Sequence, residues 1–181
     1  MTTPSLYERV LGERFVLLAP AVQRFHRLAG RVVLHGLVRT DPPASWLAKL
    51  VAMVLGTPRH AIEGALRFEL EADPGSERWT RYFPRHTMSS RLRWKDGRIE
   101  EHLGAVRLTF DLHPADSVLR MHLVRMRCLG IPCPRRLMPR ITAEETGHGD
   151  QLHFRVNAAL PWVGTVASYR GHLLLGSERA P

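Results

Sequence analysis

The sequence predicts an α+β, β-dominated fold: N-terminal helices, then a strongly curved antiparallel meander or incomplete β-barrel with a helix covering its apolar face. Three observations predict it. The hydrophobic period changes from about 3.6 residues to 2 near Gly64. Past that point, short alternating segments follow one another with turn residues between them. Ahead of it lies a stretch, residues 44 to 55, that is apolar almost all round and has to bury most of its surface, most simply against the sheet.

The elements follow in order. Ser5 and Glu8 have the spacing of a capping box, in which each side chain satisfies the other's terminal amide, and Leu6, Val10 and Leu11 then share a helical face. Pro20 suits the first turn of a second helix, with Val22, Phe25 and Leu28 as its stripe. Glu13 to Ala19 reads equally as continuation or break. Arg31 to Val38 is β-branched and reads as an isolated strand, stopped by Asp41-Pro42-Pro43. The apolar helix 44–55 ends at Gly56 and Pro58.

From there Leu66, Phe68 and Leu70 alternate with polar residues, and Asp73 to Ser76 makes a turn. Trp79, Arg81 and Phe83 share a face, as do Met88, Ser90, Leu92 and Trp94. Asp96-Gly97 is a hairpin signal. Val106, Leu108, Phe110 and Leu112 form another apolar face, opposite Asp111 and His113. Met121 and Leu123 are out of phase with Val124, Met126 and Cys128, which predicts a bulge near Leu123-Val124. Leu152, Phe154 and Val156 alternate again, and a last strand covers about Thr165 to Leu175. Closely spaced strands with short turns make an antiparallel sheet with one dry and one wet face. Eight or nine of them in about 110 residues tend to curl.

At 181 residues and 20.6 kDa the chain suits a single domain: 1–60 mainly helical, 61–176 sheet, 177–181 a short tail. Its 44% hydrophobic and 24% charged residues exclude wholesale disorder and a polytopic membrane protein. The net charge of +9 is carried almost entirely by arginine, Lys49 and Lys95 being the two lysines. Guanidinium groups favour phosphate and carboxylate partners, whereas GC-rich coding alone also inflates arginine. Two cysteines make no disulfide framework, the N-terminus has no signal-peptide core, and no stretch reaches the ~20 apolar residues of a spanning helix. The expected location is therefore cytoplasmic, with peripheral contact at the inner membrane as an extension.

Two constellations stand out. In Glu77 to Phe83, a cation is set between two aromatics on a concave apolar face. An Arg81 buried there needs an anion, either a ligand's carboxylate or phosphate or an internal partner such as Glu69 or Glu101. Trp79, Arg81, Phe83, Arg91, Phe110, Phe154 and Tyr169 are the expected ligand-binding residues, with Arg170 a further guanidinium for the same cup. The second is the acid-free stretch Arg120 to Arg140. Its excursion joins Ile131 and Leu137 to Arg135, Arg136 and Arg140, the pairing that contact with an anionic bilayer needs; a loop packed on its own sheet uses the same residues.

No nucleophile elbow, phosphate loop, dinucleotide fingerprint or metal signature is present, so no catalytic residue, cofactor or metal is expected. Specific nucleic-acid binding is disfavoured, because acids are interspersed and no recognition motif appears. The expectation is a non-enzymatic domain for an apolar or lipid-like ligand. The alternatives are an accessory domain or small enzyme acting with a nicotinamide-type oxidoreductase, and a protein-interaction module.

Four segments carry a resemblance: Leu6 to Leu28, Glu77 to Phe83, Gly130 to Arg140 and His153 to Leu173. Together and in this order they resemble the bacterial domain of unknown function 4166. The resemblance spans nearly the whole chain and implies one domain from a bacterial source. It also implies relatives that stand alone or follow a nicotinamide-type oxidoreductase or a small membrane protein, and it brings no catalytic residue or cofactor with it.

Overall fold

The computed structural model describes residues 4–176, so the tail 177–181 lies outside the described residues. Helix α1 (Leu6–Leu11) starts on its capping box: the Glu8 amide donates to Ser5 Oγ at 3.3 Å, and the Ser5 amide donates to Glu8 Oε2 at 2.9 Å. The ambiguous stretch after it is a 3₁₀ helix, Gly12–Leu17, and α2 (Pro20–His26) begins at its proline.

The remaining elements are β1 (Gly30–Asp41), α3 (Trp46–Leu55), β2 (Ile62–Asp73), β3 (Ser76–Phe83), β4 (His86–Lys95), β5 (Arg98–Leu103), β6 (Val106–Ala115) and β7 (Val118–Cys128). After them come β8 (Ile131–Pro132), a 3₁₀ turn (Arg135–Leu137), β9 (Arg140–His148), β10 (Gln151–Leu160) and β11 (Gly164–Leu174). Each strand pairs antiparallel with its neighbours, and the β6–β7 pairing joins the two sides of the strand order into a closed ten-stranded barrel. The two-residue β8 only extends one end of β7.

The antiparallel meander is therefore present, but the barrel is closed rather than incomplete. The closing strand is β1, which the sequence reads as isolated. It pairs with β2 from Gly30–Ala72 to Thr40–Ile62 and with β11 from His35–Leu174 to Asp41–Ser168. At this seam two glycines face the opposing backbone. A Cβ on Gly36 would strike the His172 carbonyl, and one on Gly171 would strike the Leu37 carbonyl and come within 2.9 Å of the Phe154 ring. Strands can pass so closely only where the side chain is absent. The bulge falls where expected: Thr109 faces Arg125 but Phe110 faces Leu123, leaving Val124 as the extra residue.

Closure gives the barrel two ends. α1, the 3₁₀ helix and α2 plug one of them. Leu18 bridges Ser117, the Ala19 amide donates to the Ser117 carbonyl at 3.0 Å, and Arg24 reaches the Gly149 carbonyl and Asp150, each at 2.8 Å. Tyr7, Leu11, Phe15, Val22 and Phe25 are all buried in this stopper.

The opposite end carries α3, the long β7–β9 excursion and the β10–β11 turn. Ser45 caps α3, accepting from the Ala48 amide at 3.1 Å and donating to the Val163 carbonyl at 2.9 Å. Ala48 and Ala52 seat the helix on Val166 of β11. Here the structure corrects two expectations. The apolar face of the sheet is the barrel interior, so α3 lies at the mouth instead of covering that face. Nor does α3 bury most of its surface, because its small residues make the contact and Trp46, Leu47, Leu50 and Met53 remain exposed.

The seam predicts its own sensitivity. Gly171→Ala is expected to lower the thermal midpoint by several degrees, since overpacking costs about 1–3 kcal/mol and each kcal/mol is worth about 2–4 °C in a domain of this size. Gly75→Ala, where an added Cβ meets nothing within 4 Å, is the control and is expected to leave the midpoint unchanged. Equal melting of the two variants by circular dichroism would contradict the seam's role.

Candidate functional site

Strand alternation sends one set of side chains inward, and they surround a cavity of about 440 Å³. Its wall is overwhelmingly apolar, with Phe83, Met88, Phe110 and Phe154 from the strands. Leu50, Val51 and Leu55 of α3 close part of its mouth.

Arg81 is the cation in this wall. It sits on β3 between Trp79 and Phe83, with its guanidinium carbon 5.0 Å from the Trp79 ring centroid and 5.8 Å from that of Phe68. Its Nη1 donates to Ser90 Oγ at 3.3 Å. Among the described residues no carboxylate lies within 4.0 Å of it. Neither internal partner considered from the sequence pairs with it. Glu69 lies outside the barrel, where Arg67 and the Tyr82 hydroxyl hold it. Glu101 lines the cavity but makes no ion pair with Arg81. Tyr169 reaches the same space from β11; burial pushes its phenol up, with the Arg81 charge pulling the other way.

Trp79, Arg81, Phe83, Phe110, Phe154 and Tyr169 thus share one cavity wall. Arg91 does not. It alternates with the buried Ser90 and Leu92, so it points outward and is exposed. Arg170, next to the inward Tyr169, points outward for the same reason.

Beneath the cavity, toward the plugged end, lie buried polar residues that the sequence reading missed, of which Glu145 lines the cavity itself. His26 Nε2 and Glu145 Oε2 are 2.6 Å apart, and both side chains are buried. Tyr7 stacks on His26 with ring centroids 3.6 Å apart. Trp79 Nε1 donates to Glu77 Oε2 at 2.8 Å. Tyr7 Oη and His26 Nδ1 are buried without a hydrogen-bond partner. Burial pushes the Glu77 carboxyl up, against the pull of His26 and the Trp79 N–H, and nearby Glu145 pushes it further. Burial also holds the Tyr7 phenol well above its ordinary value. A signal for Glu145 was present in the alternation Ile141, Ala143, Glu145, Gly147, where a carboxylate interrupts an inward row. For Tyr7 and His26 there was none.

Around the mouth, large apolar residues face solvent. Trp162 is 96% exposed, Leu129 79%, Ile131 70% and Trp46 70%, with Leu137 and Met53 also exposed. Lys49, Arg127, Arg135, Arg136 and Arg140 stand exposed among them. The sequence reading names Ile131, Arg135, Arg136, Leu137 and Arg140 here, but not Leu129 or Trp162. Among the described residues no three His, Cys, Asp or Glu side chains are placed to hold a metal ion, and no helix is long and apolar enough to cross a membrane.

Fold and cavity define a closed antiparallel barrel, plugged at one end and lined mostly by apolar side chains. Within that class the chain belongs to the family described as Domain of unknown function (DUF4166), whose profile matches residues 18–173. No curated protein matches the sequence. Among solved structures, the crystal structure of Rv2717c from M. tuberculosis is similar with a TM-score of 0.47 and 11% identity, over 90% of this chain and 99% of that one.

The buried floor makes a pH prediction. Because the folded state raises the Glu77 pKa, its ionised form opposes folding: stability is fullest below the unfolded carboxylate pKa and falls as pH rises through the folded one. Glu77→Gln keeps an acceptor for Trp79 and removes this loss. It is expected to melt a few degrees above the parent at pH 7.5, with the gap closing by pH 4. A gap that does not change with pH would contradict the assignment.

Proposed function

We propose that the barrel carries an amphiphile whose apolar body fills the cavity and whose acidic head is held by Arg81. The observation that carries this reading is a guanidinium on an apolar wall with one neutral hydrogen-bond partner and, among the described residues, no carboxylate within 4.0 Å. A half-buried cation without a close counter-ion loses part of its hydration, and a ligand's carboxylate or phosphate offsets that loss. Ser90 and Tyr169 add hydroxyls beside the head. The cavity falls within the roughly 300–1,000 Å³ of small-molecule sites, and its few polar groups on apolar walls are what such sites use to fix orientation.

The mouth supports a second part of the reading, in which the guest is exchanged at an anionic bilayer. Exposed Trp46, Met53, Leu129, Ile131, Leu137 and Trp162 ring the opening, interleaved with lysine and arginine. Apolar side chains below the phosphates and cations level with them make an interfacial contact. In this reading the protein works in the cytoplasm and rests on the inner membrane.

Two experiments test these parts. A fluorescent polyene fatty acid is expected to bind the parent at least about tenfold more tightly than the matching alcohol. A hydrogen bond to a charged group is worth about 1.5–3 kcal/mol. Arg81→Leu is expected to abolish that preference while leaving the alcohol's affinity and the melting curve in place; equal affinity of the parent for acid and alcohol would contradict the head-group role. For the rim, phosphatidylglycerol-containing vesicles are expected to co-sediment the protein and blue-shift its tryptophan emission, whereas phosphatidylcholine vesicles do neither. The double variant Trp46→Ser, Trp162→Ser is expected to lose most of the binding. Unchanged binding in that variant would leave the rim without a role.

A further inference from the structure

The outer wall of the barrel carries an arrangement unrelated to the cavity. Across β9, β10, β11 and β1 the register sets outward side chains in rows perpendicular to the strands. One row reads Glu144, Arg155, Arg170, Arg39, and the adjacent row reads Thr146, His153, His172, Leu37. Like charges directly opposite each other destabilise a ladder, so Arg155 facing Arg170 facing Arg39 is a local conflict.

Neighbouring acids relieve it only at the ends of the row, where Glu63 pairs with Arg39 and Glu144 stands opposite Arg155. Glu144 accepts from Arg120 Nε at 3.1 Å, Glu63 lies 3.9 Å from Arg39, and Asp41 takes the Ser168 hydroxyl at 2.9 Å. Among the described residues no carboxylate comes within 4.0 Å of Arg155 or Arg170. Beside the two arginines, the His153 ring lies 5.1 Å from that of His148 and 5.5 Å from that of His172, centroid to centroid. These side chains floor a shallow depression of about 480 Å³, with Glu144, held by Arg120, and Thr146 at one edge.

We propose that this depression is a binding site for a phosphate group on a small soluble molecule, gripped by Arg155 and Arg170 with an N–H donor from His172, the His153 Nε2 being engaged with Gln151 Oε1 at 3.1 Å. Directly opposed residues on neighbouring antiparallel strands have Cα atoms about 4.5–5.5 Å apart, so two guanidinium forks converge on one tetrahedral anion. Their planar donors match phosphate oxygens, and the bound charge turns the arginine repulsion into attraction. Two guanidinium groups in the floor oppose a metal cation, and no three ligating side chains here are arranged around one.

The test is a titration of the full-length chain with inorganic phosphate at constant ionic strength, followed by ¹H–¹⁵N shifts. Saturable shifts confined to the amides around His153, Arg155, Arg170 and His172 are expected. The double variant Arg155→Gln, Arg170→Gln is expected to weaken the response at least tenfold. That variant also melts at or above the parent temperature without phosphate, since the arginine conflict is gone; this separates loss of the site from loss of the fold. Shifts that grow without saturating and spread over arginines on every strand overturn the proposal. So does a response unchanged in the variant, or one seen only with phosphatidylglycerol vesicles, which would assign the row to a lipid surface.

Discussion

Where β1 meets β11, Gly36 and Gly171 let two backbones approach closer than any side chain would allow, and the meander closes on itself there. An open sheet of this length would present two unpaired edges and one large apolar face to solvent. Closure removes both liabilities and turns the apolar face into an enclosed volume. It also fixes which side chains meet: Arg81 from β3 and Tyr169 from β11 enter one cavity only because the strands between them complete a ring. The geometry of the cavity depends on that seam.

The interior is not uniformly apolar, and its polar groups are sorted by height. At the plugged end, Tyr7 and His26 meet Glu145, while Glu77 is held by Trp79, giving a floor whose groups mostly satisfy one another. Such a floor fastens the helical plug to the barrel through buried contacts that would be costly to break singly. Higher up, among the described residues, Arg81 has Ser90 as its hydrogen-bond partner and two aromatic faces beside it. The floor is tied together by a close carboxylate–imidazole contact, although Tyr7 Oη and His26 Nδ1 lack partners, whereas among the described residues the Arg81 charge has no carboxylate within 4.0 Å.

Much of the wall was legible because strand alternation is a local signal. Leu66, Phe68 and Leu70, then Trp79, Arg81 and Phe83, declare an inward face within a few residues, and the phase slip at Val124 declares the bulge. The same alternation places Arg91 outside, between Ser90 and Leu92, so its inclusion among the ligand residues went against the pattern. Closure was not legible, since β1 and β11 are far apart in sequence and neither carries a mark of the other. His26 and Glu145 are likewise 119 positions apart. The orientation of α3 was hidden for another reason. A helix apolar on every side has no stripe to say which face packs, and the choice fell to the small residues Ala48 and Ala52 against Val166. That choice left the large residues outside, at the mouth of the cavity.

The central claim is that the closed barrel holds an acidic amphiphile on Arg81. Native mass spectrometry of the protein purified under mild conditions, followed by solvent extraction and identification of what is released, tests it most directly. A stoichiometric adduct that yields an acidic, largely apolar molecule is expected, and an Arg81→Leu protein that folds but carries none. A clean ligand-free mass for the parent after adding back a total lipid extract would contradict it, as would a neutral guest retained equally by both proteins.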